Sequence, residues 1–163
     1  MFYSSDEATY YFDKATGDLL TGWSEIDGNK YYFAADDGQL AKGLFSLEDG
    51  QHFANPETGV IGTGLQKIDN KQYYFDETTG LMKNGWINIG EDKYYFDETT
   101  GEGLSGIREV DGKTYGFIGG LSLRNERAMT SNHIYYFDAE GTIVREIDGT
   151  NRKSFHSLGI AVD

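Results

Sequence analysis

The side chains of this chain best suited to recognising a ligand carry aromatic rings. Among its 163 residues are 12 tyrosines, 10 phenylalanines and two tryptophans, Trp23 and Trp86. Aromatic faces attract cations and offer large, flat apolar surfaces to other groups. The rings expected to form ligand sites are Tyr10 and Tyr31 beside Trp23, and Tyr73 and Tyr94 beside Trp86. The alternative, that both tryptophans only pack at the rim of a hairpin, stays open at this point.

The remaining reactive residue types indicate neither catalysis nor metal binding. The chain has no cysteine, no nucleophile elbow and no phosphate-binding loop. The acidic turns at 76–77 and 97–98 lack the pattern of a calcium loop. The histidines have no metal-site spacing, and His52 is expected to be a hydrogen-bonded structural residue; they are His52, His133 and His156. We therefore predict a protein that is not an enzyme, with no catalytic residue, metal or cofactor.

A strict repeat must position these rings. A glycine recurs every 21 residues, at Gly22, Gly43, Gly64, Gly85 and Gly106. A phenylalanine recurs almost as regularly, at Phe12, Phe33, Phe53, Phe75, Phe96, Phe117, Phe137 and Phe155. Self-similarity at such a period indicates a repeat array, and arrays usually act by recognition along a surface. Each unit has two β-prone runs around Asp, Asn or Gly, which predicts eight β-hairpins.

The strand pattern predicts which side chains are buried. Side chains alternate between the two faces of a strand, so Tyr31 and Phe33 share one face and Tyr32 the other. We assign the whole phenylalanine column to the core. The two residues before each phenylalanine are tyrosine in most repeats but polar in some. We therefore place both tyrosine columns nearer the rim, where a ring can be buried and its hydroxyl stay wet.

Charge and hydropathy exclude several classes of partner. The net charge is −13, so the basic surface that nucleic acid requires is missing. No apolar run is long enough to insert in a membrane, and no secretory signal is visible.

The first residues already belong to the repeat, so the chain is expected to be a piece of a longer protein. The sequence does not predict an oligomeric state.

The repeats resemble a known superfamily. The pattern GWxxIDGxKYYFxxxTG is followed at 22–33 and approximated at 64–80 and 85–101. It is similar to cell-wall-binding, choline-binding-like repeats. The spelling is closest to the short repeats in the receptor-binding arrays of large clostridial toxins and to glucan-binding repeats. The resemblance implies an all-β fold, a β-solenoid of stacked hairpins with about three hairpins per superhelical turn. It also implies an array over 1–163, with a first hairpin at 1–20, regular repeats at 21–120 and degenerate repeats at 121–163.

The resemblance implies a function as well. It predicts a non-catalytic module of a secreted or cell-wall-associated protein of a Gram-positive bacterium. Its partner would be a cell-surface or cell-wall glycan, bound in aromatic grooves between hairpins. Tryptophan fills the position after the glycine in only two clear repeats, so we expect few full choline cages. Two alternatives stay open: an anchor that binds choline on a teichoic-acid-like polymer, and a structural spacer or adhesive stalk without a small ligand.

Overall fold

The computed structural model describes residues 1–4 and 8–149, and this part of the chain is all β without an α-helix. No helix among these residues is long and apolar enough to cross a membrane. In chain order the strands are β1 (Phe2–Ser4), β2 (Thr9–Tyr11), β3 (Gly22–Ile26), β4 (Asn29–Phe33), β5 (Gly43–Leu47), β6 (Gly50–Ala54), β7 (Gly64–Ile68), β8 (Lys71–Phe75), β9 (Met82–Lys83), β10 (Gly85–Ile89), β11 (Asp92–Phe96), β12 (Gly106–Val110), β13 (Lys113–Ile118), β14 (Leu121–Ser122), β15 (Arg127–Met129), β16 (His133–Phe137) and β17 (Ile143–Asp148).

Two-residue turns close the regular hairpins. In the β3–β4 hairpin Ile26 pairs with Asn29, so Asp27 and Gly28 form the tip. Both have positive φ, 51° and 77°. Turns of this kind match the right-handed twist of the paired strands, and Asp-Gly is among their preferred sequences. The local sequence therefore determines these hairpins.

The chain forms two compact units, Met1–Lys83 and Asn84–Asp163. The first unit holds the hairpins β1–β2, β3–β4, β5–β6 and β7–β8, with β9 added beside β8. In the second unit one sheet has the strand order β10-β11-β14-β13-β12, and β15-β16-β17 form another. The expected hairpin around Phe137 is thus part of a three-stranded sheet, while the one around Phe155 lies outside the described residues. The solenoid winding stays a prediction.

Stacking of successive repeats is visible within the first unit. The Leu40 amide donates to the Thr9 carbonyl at 2.7 Å, and the Ile61 amide donates to the Lys30 carbonyl at 2.9 Å. A Cβ at Gly38 would lie 2.7 Å from the Leu19 side chain. The turn glycine of one repeat therefore makes room for an apolar side chain of the repeat before it. Each hairpin in this unit buries a face that it could not bury alone.

The phenylalanine column forms much of the core, with two corrections. Phe33, Phe75 and Phe96 are fully buried, but Phe12 is 39% exposed. Phe53 was assigned to the wrong column, because Gly43 pairs with Ala54 and Leu44 pairs with Phe53. The strand pairing keeps the 21-residue spacing of the glycines and does not follow the less regular spacing of the phenylalanines. Ala54 therefore occupies the register position of the core phenylalanine, and Phe53 takes that of the preceding tyrosine. Phe53 is nevertheless buried, as expected, and packs in the core with Phe75.

The tyrosine columns differ from each other in burial. Tyr31, Tyr73 and Tyr115 are each only 7% exposed, so their assignment to the rim was wrong. They lie on the same face as the core phenylalanines, as the alternation of side chains along a strand requires. Tyr32 and Tyr95, on the opposite face, are half-buried as expected. Tyr32 and Tyr95 therefore keep part of their rings accessible to a ligand.

Each acidic turn is organised by a side chain that accepts backbone hydrogen bonds. Asp76 Oδ1 accepts from the amides of Thr78 and Thr79, and Asp97 Oδ1 makes the same contacts one repeat later. The Thr79 amide, followed by the Thr78 amide, holds the pKa of Asp76 below its usual value. The matching amides in the next turn lower the pKa of Asp97. Asn55 accepts two such bonds without a titratable group.

These turns predict a specific acid response. A lowered pKa means that the two carboxylates stabilise the fold fully above about pH 4, the ordinary aspartate range, and lose that effect as pH falls through their folded pKa. The double variant Asp76→Asn, Asp97→Asn copies Asn55 and should keep the turns. Its thermal midpoint, followed by circular dichroism, should therefore fall less between about pH 5 and pH 2 than that of the wild type.

The control is a variant that loses two exposed carboxylates elsewhere, Glu48→Gln with Glu109→Gln. It has the same net charge as the turn variant, so it corrects for general charge repulsion at low pH. A control whose acid response matched that of the turn variant would show that the hydrogen-bonded carboxylates have no special role.

Candidate functional site

An aromatic cluster surrounds Trp23 in the first unit. Trp23 contacts Tyr32 at a centroid distance of 5.1 Å and 66°, and His52 at 5.1 Å and 70°. Phe45 stacks on Tyr32 at 5.5 Å and on His52 at 5.6 Å. Edge-to-face and offset pairs of this kind are the favourable arrangements for aromatic rings. We call Trp23, Tyr32, Phe45 and His52 the first aromatic cluster.

Strand register and repeat stacking together build this cluster. Trp23 on β3 is paired directly with Tyr32 on β4. Phe45 on β5 is paired directly with His52 on β6, in the next hairpin. Two cross-strand pairs from consecutive repeats therefore meet, and Trp23 stays 39% exposed. The cluster is a partly open aromatic surface.

His52 fixes the inner wall of the first aromatic cluster. Its side chain is fully buried, with Nδ1 2.9 Å from the Gly80 carbonyl oxygen and Nε2 3.1 Å from Asp49 Oδ1. A carbonyl oxygen can only accept, so Nδ1 donates to Gly80. The expectation of a hydrogen-bonded structural histidine is confirmed. Among the described residues, no group of three potential ligands that could hold a metal was found.

A second aromatic cluster surrounds Trp86 in the second unit. Trp86 contacts Tyr95 at 5.0 Å and 72°, Tyr115 at 5.0 Å and 67°, and Phe117 at 5.8 Å. Trp86, Tyr95 and Tyr115 each follow Trp23, Tyr32 and His52 by three periods of the 21-residue repeat. We call Trp86, Tyr95, Tyr115 and Phe117 the second aromatic cluster. The repeat thus produces the same pair of perpendicular contacts in each unit.

A lysine ammonium group also lies over the ring of each tryptophan. Lys30 Nζ lies 4.5 Å from the ring centroid of Trp23, and Lys93 Nζ lies 4.0 Å from that of Trp86. Both distances fall inside the range of cation–π attraction, for which tryptophan is the best side chain. These ring faces are therefore placed to hold a positive charge.

A groove lies beside the first aromatic cluster. It has a volume of about 380 Å³, and its lining includes Tyr32, Phe45 and Leu40, with Asp36 and Asp37 among its polar residues. Aromatic walls with a few polar groups are typical of sites for small ligands.

In the second unit, burial and then the Glu98 carboxylate raise the pKa of Tyr95, whose hydroxyl donates to Glu98 at 3.4 Å. That hydroxyl is therefore protonated at neutral pH.

The predicted partner tyrosines lie elsewhere in the hairpins. Tyr31 is in the core beside Phe33, at 6.4 Å, because it is on the opposite face from Trp23. Tyr10 is paired with Tyr3, Tyr73 is buried in the first unit, and Tyr94 stacks on Phe96. Ligand binding by these residues and the two tryptophans stays a prediction.

Tyr32, Tyr95 and the rings from the next repeat were not among the predicted site residues. The sequence does contain a signal for Tyr32 and Tyr95. The repeat glycine is paired with the phenylalanine, so the residue after that glycine, the tryptophan, lies opposite the tyrosine that precedes the phenylalanine. No local signal could identify Phe45 or Tyr115. Their contacts depend on how one hairpin packs on another.

Two protein-family models match parts of the sequence. A family model described as choline-binding repeat matches residues 62–106, and one described as putative cell wall binding repeat matches residues 21–40. In these two segments the chain is similar to the choline-binding-like superfamily of cell-wall-binding repeats. This confirms the resemblance found in the sequence. A search of curated protein sequences gave no match.

Several solved protein structures are similar to the chain. Choline binding protein F from Streptococcus pneumoniae is 28% identical, with a TM-score of 0.73 over 88% of this chain and 47% of that one. CbpJ from Streptococcus pneumoniae TIGR4 is 27% identical, with a TM-score of 0.74 over 88% and 47%. The autolysin LytC of the same species, solved with a synthetic peptidoglycan ligand, shares the fold at 21% identity and a TM-score of 0.64, over 91% and 33%. The chain thus spans about half the length of the first two, or 47%.

Proposed function

We propose that the chain is a non-catalytic module that binds a choline-bearing polymer of a bacterial cell wall. The two aromatic clusters would take the trimethylammonium groups of that polymer. The module would act at the cell surface of a Gram-positive bacterium. One of the similar structures is named choline binding protein F, which supports this ligand class.

The lysine on each tryptophan is the observation that carries the proposal. A ring face that holds an ammonium 4.0 to 4.5 Å from its centroid has the geometry that cation–π attraction requires. A trimethylammonium group would make the same contact with a larger apolar surface. The net charge of −13 adds a general attraction for cations, which salt would screen.

A neutral glycan is the second candidate ligand, and the groove beside Tyr32 and Phe45 favours it. Carboxylates of Asp36 and Asp37 and the Gln39 amide lie among its lining residues. Such groups can hydrogen-bond to sugar hydroxyls while a ring packs against the sugar face. A weak affinity, micromolar to millimolar, is expected for either ligand at an open surface. Several repeats binding one polymer would supply the avidity.

Calorimetry with choline chloride and with a panel of neutral oligosaccharides tests the proposal. We expect choline to bind weakly, in roughly the millimolar range of shallow sites, with one site per aromatic cluster. Sodium chloride at matched ionic strength controls for nonspecific salt effects, and ethanolamine shows whether a primary ammonium is sufficient. A response to oligosaccharides without a response to choline would favour the glycan function. No response to either would favour the spacer or stalk.

A further inference from the structure

Lysine accompanies tryptophan in this array, repeat by repeat. The position after each regular glycine holds Trp23, Leu44, Leu65, Trp86 and Ile107. The position seven residues later holds, in the same order, Lys30, Gln51, Gln72, Lys93 and Thr114. A lysine therefore stands at this position only in the repeats whose ring is tryptophan. A general need for solubility would not produce this pairing.

The strand register explains how each lysine reaches its ring. Glu25 is paired with Lys30, two residues along β3 from Trp23, so Trp23 and Lys30 are diagonal neighbours on one hairpin face. Diagonal neighbours in a sheet lie within reach of long side chains. Asn88 and Lys93 repeat this arrangement beside Trp86. Lys30 is exposed, so the ring face that it covers is one that a dissolved ligand can reach.

We propose that Lys30 and Lys93 are specificity-determining residues that occupy the tryptophan faces as internal cations and must be displaced before a ligand cation binds. This rests on the proposed choline function. Each lysine would reduce affinity for single, weakly binding cations. A polymer that presents many choline groups would displace both lysines through its avidity. The array would thereby discriminate a choline-bearing polymer from free small cations.

The size of the effect follows from the strength of the contact that is lost. Cation–π attraction at exposed sites corresponds to about a two- to fivefold change in an equilibrium constant. Displacing the lysine should weaken choline binding by this factor. The tethered ammonium has the advantage of high local concentration. The ligand's trimethylammonium has the advantage of weaker hydration and a larger contact area.

The test is the double variant Lys30→Gln, Lys93→Gln, which copies the residue found in the leucine repeats. Choline affinity by calorimetry should rise by about two- to fivefold. The control compares single variants of equal charge: Lys30→Gln should raise affinity, whereas Lys67→Gln, on the exposed face of a hairpin that has Leu65 instead of tryptophan, should leave it near the wild-type value. The variant Lys30→Arg, Lys93→Arg keeps a cation for each ring and should show no such gain.

A ligand-free measurement tests the geometry separately. In wild-type protein, ring currents should shift the ε-methylene protons of Lys30 and Lys93 upfield in NMR spectra relative to Lys67. Equal choline affinity in the glutamine variant and the wild type would overturn the inference while leaving the choline function intact. Absent shifts would overturn the inference and would also remove the lysine contact on which the choline function rests. If neither protein bound choline, both the inference and the proposed function would be wrong. A matching gain in Lys67→Gln would show only an effect of net charge.

Discussion

Replacing Phe75 by alanine is expected to lower the free energy of unfolding by about 3–5 kcal/mol. Phe75 is fully buried, and its ring stacks on Phe53 at 6.0 Å. It is paired with both Gly64 and Met82, so backbone on either side fixes the walls of the cavity that alanine would leave. When neighbouring residues cannot move in to fill the cavity, the substitution lowers stability by more. Chemical denaturation followed by circular dichroism would measure the change.

Phe12→Ala is the matched control, since Phe12 belongs to the same sequence column but is 39% exposed. Its stability should stay within about 1 kcal/mol of the wild type, as for most substitutions away from a packed core. Equal losses in the two variants would contradict the burial that distinguishes them.

Replacing both tryptophans by leucine should weaken choline binding by more than about tenfold, since each cluster loses its best cation-binding face. The variant Trp23→Leu, Trp86→Leu should still fold. Leu44 and Leu65 stand at the same position of the register in neighbouring hairpins, where they are paired with Phe53 and Tyr74. Calorimetry with choline and a thermal melt of each protein separate the loss of binding from a loss of fold.

Two single variants then identify the partners of Trp23. Tyr32→Leu removes a ring that lies 5.1 Å from Trp23 and should weaken binding. Tyr10→Leu removes the ring expected from the sequence, which the structure pairs with Tyr3, and should leave binding unchanged. The opposite result would restore the site predicted from the sequence. If the tryptophan double variant bound choline normally, the two tryptophans would be packing residues alone.

Phe53 shows why residue type alone is a poor guide to register. The phenylalanines at 33, 53 and 75 look like one column in the sequence, although 53 departs from the 21-residue spacing. Backbone hydrogen bonds set the register, and the chain keeps the glycine spacing by placing Ala54 in the core. Shifting the pairing by one residue would have moved every side chain of β6 to the other face.

Gly116 is a second position that depends on tertiary packing. It occupies the column that has Tyr32 and Tyr95 in other repeats, yet it is glycine. A Cβ there would lie 2.5 Å from the Phe137 ring. The ring from the following sheet therefore takes the space that a tyrosine would fill. The sequence shows that this repeat has glycine in place of tyrosine, but it does not show that the Phe137 ring is the reason.

The sequence by itself determined the repeat and the hairpins, because two-residue turns and strand alternation act over a few residues. It also contained the resemblance to choline-binding-like repeats. It also determined the buried positions of Phe33, Phe75 and Phe96, which keep the repeat spacing. Only the tertiary structure decided which rings meet the tryptophans. Phe45 and His52 reach Trp23 from the following repeat, and Tyr115 reaches Trp86 in the same way. Contacts between hairpins depend on how repeats stack, and the local rules that form each hairpin do not specify that packing.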